Sequence, residues 1–278
     1  MTKADILEIE VDLFLEALFR RHGYDFRHYA PASIKRRVTA LAAATGVHSV
    51  ADLIPLTLGD GSMLPEILTR LSVPVTEMFR DPAVFKLLRE QVLPVLASWP
   101  RLKIWLAGCA SGEEVYSLAI LLDEEGLLDR TQIYATDIND AALRKAEDGI
   151  FPMASFVDTE RRHRQAGGQQ PFAHFCVADH GFFRMNQRLR ERISFAHHNL
   201  VSDGVFCEVQ LVLCRNVLIY FNRELQERVL RLFHGSLARG GFLCLGTRES
   251  LRHTEVDKGF TVLDGEHRIF RRAEQSLA

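Results

Sequence analysis

The sequence predicts an α/β protein in which a helical block precedes a doubly wound, mostly parallel sheet. From residue 102 onward, short apolar runs alternate with amphipathic helices, a pattern typical of strands joined by helical crossovers. The first seventy residues instead have apolar positions at helical spacing and no strand-like run. Near the C-terminus, an Asp-Gly pair between two apolar runs predicts a hairpin over residues 260–270, which adds an antiparallel strand.

The N-terminal block, residues 1–71, is predicted to form an all-helical domain. One apolar stripe covers residues 6–18 and ends before Gly23, and a second covers residues 34–45 and ends before Gly46. Glycine just beyond the last apolar position is a common helix stop, because it adopts the left-handed conformation without steric cost. We therefore expect helices that end at these two glycines.

Residues 72–82 have no periodicity and are predicted to be a connector between the two domains, with an exposed linker as the alternative. Thr76 and Arg80 are its candidate site residues, since connectors between domains commonly line clefts. Asp81 is expected to cap the following helix, with Pro82 in its first turn. The apolar face of that helix is predicted to be Val84, Phe85, Leu88, Val92 and Leu96.

The remaining residues, 83–278, are predicted to form one ligand-binding domain. Strands are expected at 102–108, 132–136, 193–198, 209–214 and 241–246, and helices at 113–122, 141–148 and 222–238. One stretch breaks the alternation, and its two short apolar runs flank a turn at residues 179–181. We interpret residues 152–192, approximately, as a small inserted antiparallel β-subdomain.

Composition excludes several classes of function. A formal charge of −2 argues against nucleic-acid binding through bulk charge. No apolar run approaches the roughly 18 residues of a membrane-spanning helix, and the first residues carry acids where a signal peptide is apolar. Five cysteines without a C-x-x-C pair disfavour disulfides and zinc, and neighbouring His197 and His198 point to opposite faces of a strand. We expect a cytoplasmic, monomeric protein without a metal.

The first candidate site is the turn within IWLAGCASGEEVYS, residues 104–117, where a buried strand passes through Gly108 and Gly112 into a helix. Small residues let the backbone approach a ligand at the carboxyl end of the strand. The turn is neither G-x-G-x-x-G nor a Walker A loop, and Glu113 and Glu114 at the helix start would repel phosphate. It favours a positively charged ligand without phosphate. The alternative is a tight structural turn with favourable first-turn acids.

The second candidate is Asp137, directly after the next predicted strand. An acid one βα unit beyond a glycine turn commonly accepts hydrogen bonds from both ribose hydroxyls of a nucleotide. The alternative role is an N-cap for the next helix. Asn139 is equally placed to cap that helix, which would leave Asp137 available for a ligand.

The third candidate is CRNVLIYFN, residues 214–222, at the end of the predicted fourth central strand. An unpaired buried charge is costly, so Arg215 requires a partner or a ligand. We interpret Arg215 as a salt-bridged structural residue. Asn216 and Tyr220 are better site candidates, because they are polar residues at the mouth of the sheet.

Together these stretches resemble the CheR-type chemotaxis receptor methyltransferases, which transfer methyl from S-adenosylmethionine to receptor glutamates. The matching pieces are TEMFRDP (76–82), IWLAGCASGEEVYSLAI (104–120), IYATDIN (133–139), NL (199–200), CRNVLIYFN (214–222) and GTRES (246–250). The resemblance implies a class I S-adenosylmethionine-dependent methyltransferase, Rossmann-like with an antiparallel last strand, plus the helical domain and the inserted β-subdomain.

The resemblance also implies that the connector, residues 72–82, lines the active site, and it implies site residues and a partner. The expected catalytic residues are Arg80 and Tyr220. The expected cofactor-binding residues are Thr76, Arg80, Gly108, Glu114, Asp137, Asn199, Leu200, Asn216 and Val217. The implied partner is the cytoplasmic helical region of a chemoreceptor or of a related signalling receptor. Lys35, Arg36 and Arg37 form a basic triplet that would steer such an acidic partner, or else is only a solvated helix face.

Four residues depart from the family pattern: Pro74, Met78, Gln210 and Thr247. Pro74 replaces an asparagine and removes one side-chain contact to the cofactor. Two alternatives therefore stay open beside receptor methylation. One is the same chemistry on a receptor outside chemotaxis, and the other is a non-catalytic module that binds S-adenosylmethionine.

Overall fold

The structure, a computed structural model, describes residues 2–72 and 76–273. Four helices come first: α1 (Lys3–His22), α2 (Pro31–Thr45), α3 (Leu53–Leu58) and α4 (Leu64–Leu71). The predicted stops are confirmed, since Gly23 and Gly46 follow α1 and α2 with φ of 82° and 73°. Within the described ranges, no helix is long and apolar enough to cross a membrane.

The helix after the connector is built in three parts: α5 (Pro82–Leu87), a π-helical turn (Leu88–Val92) and α6 (Leu93–Leu96). The five residues predicted for its apolar face are all fully buried. Asp81 occupies the N-cap position with Pro82 in the first turn, as predicted. Its side chain makes no capping hydrogen bond, however, because the carboxylate instead binds Arg215, and its φ is 54°.

Within the residues that the structure describes, five further α-helices and ten strands complete the fold. The helices are α7 (Glu113–Glu124), α8 (Asp140–Asp148), α9 (Phe156–Gln165), α10 (Gln187–Arg190) and α11 (Arg223–Ser236). The strands are β1 (Leu102–Ala107), β2 (Thr131–Asp137), β3 (Ile150–Pro152), β4 (Cys176–Asp179), β5 (Phe182–Met185), β6 (Ile193–His197), β7 (Val209–Cys214), β8 (Leu237–Leu245), β9 (Phe260–Asp264) and β10 (Ile269–Arg272).

The large sheet has the strand order β6-β2-β1-β7-β8-β10-β9. Its first four pairings are parallel, and β10 runs antiparallel to both of its neighbours, so the predicted fold class is confirmed. Two local predictions need correction. The helix predicted to reach Ala238 ends at Ser236, because β8 begins at the next residue. The C-terminal hairpin has a four-residue loop, 265–268, rather than a turn made by the Asp-Gly pair alone.

The inserted unit is a three-stranded antiparallel sheet in the order β3-β5-β4. The turn predicted at residues 179–181 lies between β4 and β5, and the sheet begins at Ile150, two residues before the predicted start of the insert. The domain boundaries at residues 71, 82, 152 and 192 stay predictions.

The helical domain is joined to the carboxyl end of β7 by main-chain hydrogen bonds. The N–H of Ala30 donates to the carbonyl of Tyr220 at 2.7 Å, and the N–H of Asn222 donates to the carbonyl of His28 at 2.8 Å. The apolar core of this domain is continuous with one face of the large sheet. Both features place helical-domain residues beside the loops that follow the strands.

Candidate functional site

A cleft opens at the carboxyl ends of β1, β2 and β7. Loops of the sheet, the connector and the helical domain all contribute to its wall. The structure brings the predicted cofactor-binding residues and Tyr220 together on this wall: Thr76, Arg80, Gly108, Glu114, Asp137, Asn199, Leu200, Asn216, Val217 and Tyr220.

The turn after β1 requires glycine at two positions. Gly108 has φ of 76°, and a Cβ there would lie 2.5 Å from a methyl group of Val217. Gly112 has φ of 93°, and a Cβ there would lie 2.8 Å from that of Ala146. The N–H of Gly108 donates to the carbonyl of Thr136 at 2.8 Å. The turn therefore folds back onto β2 and closes the floor of the cleft.

The carboxylate of Asp137 connects the turn after β1 to the turn after β2. Its Oδ2 accepts from the N–H of Ala110 at 2.9 Å, and its Oδ1 accepts from the N–H of Asn139 at 2.9 Å. Asn139 is the N-cap of α8 and accepts from Ala141 and Ala142, so Asp137 is not needed as a cap. The N–H of Ile138 also acts on this carboxylate, which has about four acceptor positions in all. Burial raises the pKa of Asp137, against the effect of these N–H groups.

Glu114 belongs to a buried ion-pair cluster. Its Oε2 lies 3.3 Å from Nη1 of Arg215, whose Nη2 donates to Asp81 at 2.7 Å. Burial raises the pKa of Glu114, and the guanidinium opposes that shift. Burial also opposes the charge of Arg215, but the carboxylates of Glu114 and Asp81 outweigh it and raise the pKa of the arginine. The predicted salt bridge of Arg215 is confirmed, whereas its purely structural role stays a prediction, since Arg215 also lines the cleft.

Asn216 adopts a left-handed conformation, with φ of 60°, that Glu249 stabilises. Oε2 of Glu249 accepts from the N–H groups of Gly246 and Asn216 at 2.5 and 3.2 Å, and Oε1 accepts from Ile219 at 3.3 Å. Burial raises the pKa of Glu249, against the effect of these N–H groups. The carboxylate thus connects the loops after β7 and β8. Sequence reasoning noted GTRES but missed this role, because the bonded residues lie about thirty positions apart.

Tyr220 is covered by a residue of the helical domain. The guanidinium carbon of Arg37 lies 4.3 Å from the centre of the Tyr220 ring, a cation–π contact. Arg37 is only 8% exposed, donates through Nη1 to the carbonyl of Leu71, and lines the cleft. Burial lowers its pKa.

This position corrects the predicted basic patch. Lys35 pairs with Glu8 on α1 at 3.1 Å and Arg36 is exposed, whereas Arg37 is buried. Successive residues of a helix point about 100° apart, so three neighbours cannot share one face. The prediction of a single exposed docking triplet is wrong for Arg37.

Asn199 and Leu200 form the wall of the cleft beyond β6. The side chain of Asn199 accepts from the N–H of Val201 at 3.0 Å, and its own N–H donates to Asp203 at 2.9 Å. Leu200 is buried. The loop is therefore held by local hydrogen bonds, and it contributes the apolar residues Leu200 and Val201 to the cleft.

Three of the four residues that depart from the family pattern lie in the described part of the structure. Met78 is buried in the core, and the side-chain oxygen of Gln210 accepts from the N–H of Lys103 on β1 at 2.8 Å. Thr247 is exposed. Pro74, and the loss of a contact that it predicts, lie outside the described residues.

The cleft fits S-adenosylmethionine. Asp137 and Glu114 both line the cleft, and carboxylates of this kind suit the hydroxyl groups of a ribose and a positively charged methionine part. The side-chain oxygen of Asn216 is buried without a hydrogen-bond partner in the described part of the chain. Residues 2–72 and 76–273 contain no cluster of three or more histidine, cysteine or acidic residues that could hold a metal ion.

Comparison with known proteins agrees with this site. The sequence pattern of the CheR methyltransferase S-adenosylmethionine-binding domain matches residues 74–269 of this chain. The pattern of the CheR methyltransferase all-alpha domain matches residues 9–72. A methyltransferase named Cher3 from Pseudomonas putida is 47% identical over 273 residues, which cover 98% of this chain and all of that protein.

Two further relatives are more distant. The chemotaxis protein methyltransferase of Listeria innocua is 28% identical over 93% of this chain and 96% of that protein. Chemotaxis protein methyltransferase 1 of Pseudomonas aeruginosa is 31% identical over 79% of this chain and 82% of that protein. With both family domains matched, the chain belongs to the CheR methyltransferases and is an S-adenosylmethionine-dependent methyltransferase of the class I fold.

Proposed function

We propose that the protein methylates the side-chain carboxylates of specific glutamates in the cytoplasmic helical region of chemoreceptors, and that it acts as a cytoplasmic monomer. The products are glutamate methyl esters, which serve sensory adaptation. Two relatives named chemotaxis protein methyltransferases support this acceptor. The cleft supports the chemistry.

The observation that carries the proposal is the division of charge within the cleft. The sheet loops contribute the carboxylates of Asp137 and of Glu114, which is paired with Arg215, whereas the connector and the helical domain contribute Arg80 and Arg37. In the described part of the chain, the guanidinium of Arg80 makes no hydrogen bond, although its charge acts on Glu114, and Nη2 of Arg37 has no hydrogen-bond partner. Acids suit a cationic cofactor, and arginines with free donors suit an anionic acceptor.

The cofactor-binding roles belong to the sheet side of the cleft. Asp137 would accept from the ribose hydroxyls, Glu114 would face the charged methionine part, and Leu200 would border the adenine. When bound, S-adenosylmethionine supplies a methyl group already activated by a formal positive charge. Gly108 lets the turn pack closely against Val217 of the loop after β7, so both residues lie at the floor of the cleft.

The acceptor roles belong to Arg80 and Tyr220. A glutamate side chain with its ordinary pKa of about 4.3 is a carboxylate at neutral pH, so no general base is required. Arg80 orients this carboxylate through its two-pronged N–H fork. Tyr220, held in place by Arg37, lies beside the reacting groups. Orientation and the exclusion of water supply most of the rate enhancement, since opposite charges disappear together in the reaction.

The test is methyl incorporation from labelled S-adenosylmethionine into a lysate of the native bacterium, scored as methanol released by alkali. Methyl esters release methanol in base, whereas N-methyl groups do not. We expect labile label on a band of the size of a membrane receptor, and identification of that band decides between a chemoreceptor and another signalling receptor. Absence of labile label, with cofactor binding shown by calorimetry, would favour the non-catalytic module.

A further inference from the structure

Arg80 lies between two residues with unusual backbone conformations. Phe79 and Asp81 both have positive φ, 51° and 54°, which is rare for residues with a side chain. Such conformations persist only where the surroundings enforce them. Asp81 is held by Arg215, and the N–H of Phe79 donates to Oγ of Ser117 at 2.8 Å. The direction of the Arg80 side chain therefore depends on what holds its two neighbours.

Helix α9 of the inserted unit packs against this connector. Nη1 of Arg162 lies 2.8 Å from Oε2 of Glu77, and the imidazole of the next residue, His163, lies 4.9 Å from the ring of Phe79. Two successive residues of α9 thus contact the connector one and three positions before Arg80. Neither Arg162 nor His163 lines the cleft.

The imidazole of His163 is fixed from the other side. It is fully buried, and its Nε2 lies 3.2 Å from Oε1 of Glu124, which also accepts from the N–H groups of Gln169 and Gln170 at 2.9 and 3.1 Å. A Cβ on Gly168 would lie 2.3 Å from that same Nε2. The segment after α9 therefore closes directly over the ring, so the ring has little freedom to move away from Phe79.

We infer that the inserted unit positions Arg80, with Arg162 and His163 as positioning residues that act through Glu77 and Phe79. The unit is thereby part of the machinery that sets the direction of the catalytic guanidinium, in addition to any contact it makes with a partner. The inference depends on the proposed function only in the experiment that measures methyl transfer.

The first test is a charge exchange across the Arg162–Glu77 contact. We expect Arg162→Glu to lower kcat about fivefold, because a partly exposed ion pair contributes at most about 1 kcal/mol. The dissociation constant of S-adenosylmethionine should stay within twofold. The double variant with Glu77→Arg should recover most of kcat. Arg161→Glu is the matched control, because Arg161 is on the same helix and pairs with Asp158 rather than with the connector.

A second readout does not need an acceptor. Amide hydrogen exchange of the peptide that contains residues 76–81 should be faster in Arg162→Glu, unchanged in Arg161→Glu and restored in the double variant. If the wild type transfers no methyl group, the proposed function fails while this exchange result still decides the inference. Equal exchange and equal kcat in Arg162→Glu and Arg161→Glu would overturn the inference and leave the proposed function standing.

Discussion

At the scale of single residues, we propose that some cleft residues hold the cofactor and others face the acceptor. Asp137 is assigned to the first group because its carboxylate connects two turns at the cleft wall. Arg80 is assigned to the second group because it lines the cleft from the connector and its guanidinium makes no hydrogen bond in the described part of the chain. Substitutions at the two positions should therefore affect different quantities.

Asp137→Asn should weaken S-adenosylmethionine binding about 10- to 100-fold, since a hydrogen bond to a charged group contributes about 1.5–3 kcal/mol. Titration calorimetry measures the effect. Asp140→Asn is the control, because Asp140 is more than half exposed and pairs with His197 outside the cleft. Equal affinities of the two variants would rule out the ribose role.

Arg80→Ala should lose most turnover, about 10- to 100-fold on the same scale, while cofactor affinity changes only a few fold. Steady-state kinetics with a receptor fragment, together with calorimetry, separates the two effects. Arg80→Lys retains the charge but not the planar fork, so it should recover only part of the rate. A full-rate Arg80→Ala enzyme would disprove the orienting role.

Burial raises the pKa of both Glu114 and Asp137 in the cofactor-free protein. A positive ligand favours the ionised form of these carboxyls, so binding lowers their pKa and releases protons. Affinity for S-adenosylmethionine should therefore increase with pH across the range just above the ordinary carboxyl pKa. Calorimetry at pH 5 in buffers of different ionisation enthalpy measures the release. S-adenosylhomocysteine, which lacks the sulfonium charge, should release fewer protons, and proton uptake would contradict the argument.

At the scale of elements, the loops after neighbouring strands are held by one another. Glu249 gathers N–H groups from the loops after β7 and β8 and thereby keeps Asn216 left-handed. Helix ends with a local signal, such as Gly23 and Gly46, were predictable from sequence. The end of α11 and the conformation of Asp81 were not, because a strand partner and Arg215 decide them.

Glu249→Gln should lower the free energy of unfolding by about 1–3 kcal/mol, because an amide nitrogen replaces one acceptor of buried N–H groups. Urea denaturation measures the change. Glu255→Gln is the control, since Glu255 is 69% exposed and pairs only with Arg231 among the described residues. A Glu249→Gln protein as stable as this control would show that the loops after β7 and β8 do not depend on the Glu249 carboxylate.

At the scale of the whole molecule, the helical domain and the sheet domain share an apolar core and main-chain hydrogen bonds. We therefore expect a single thermal transition. S-adenosylmethionine at a hundred times its dissociation constant should stabilise the whole chain by about 2.7 kcal/mol. Calorimetry that resolves two transitions, of which the ligand moves only one, would show that the domains unfold independently.

The sequence by itself determined the fold class, the alternation of strands and helices, the glycine turn and the polar residues at the strand ends, because each depends on local spacing or on a motif. Only the tertiary structure decided that Arg37 lies on Tyr220, that Glu249 holds Asn216, and that Arg162 meets Glu77. These pairs are about 33 to 183 positions apart in the chain. Their contacts depend on packing between elements, which no local pattern encodes.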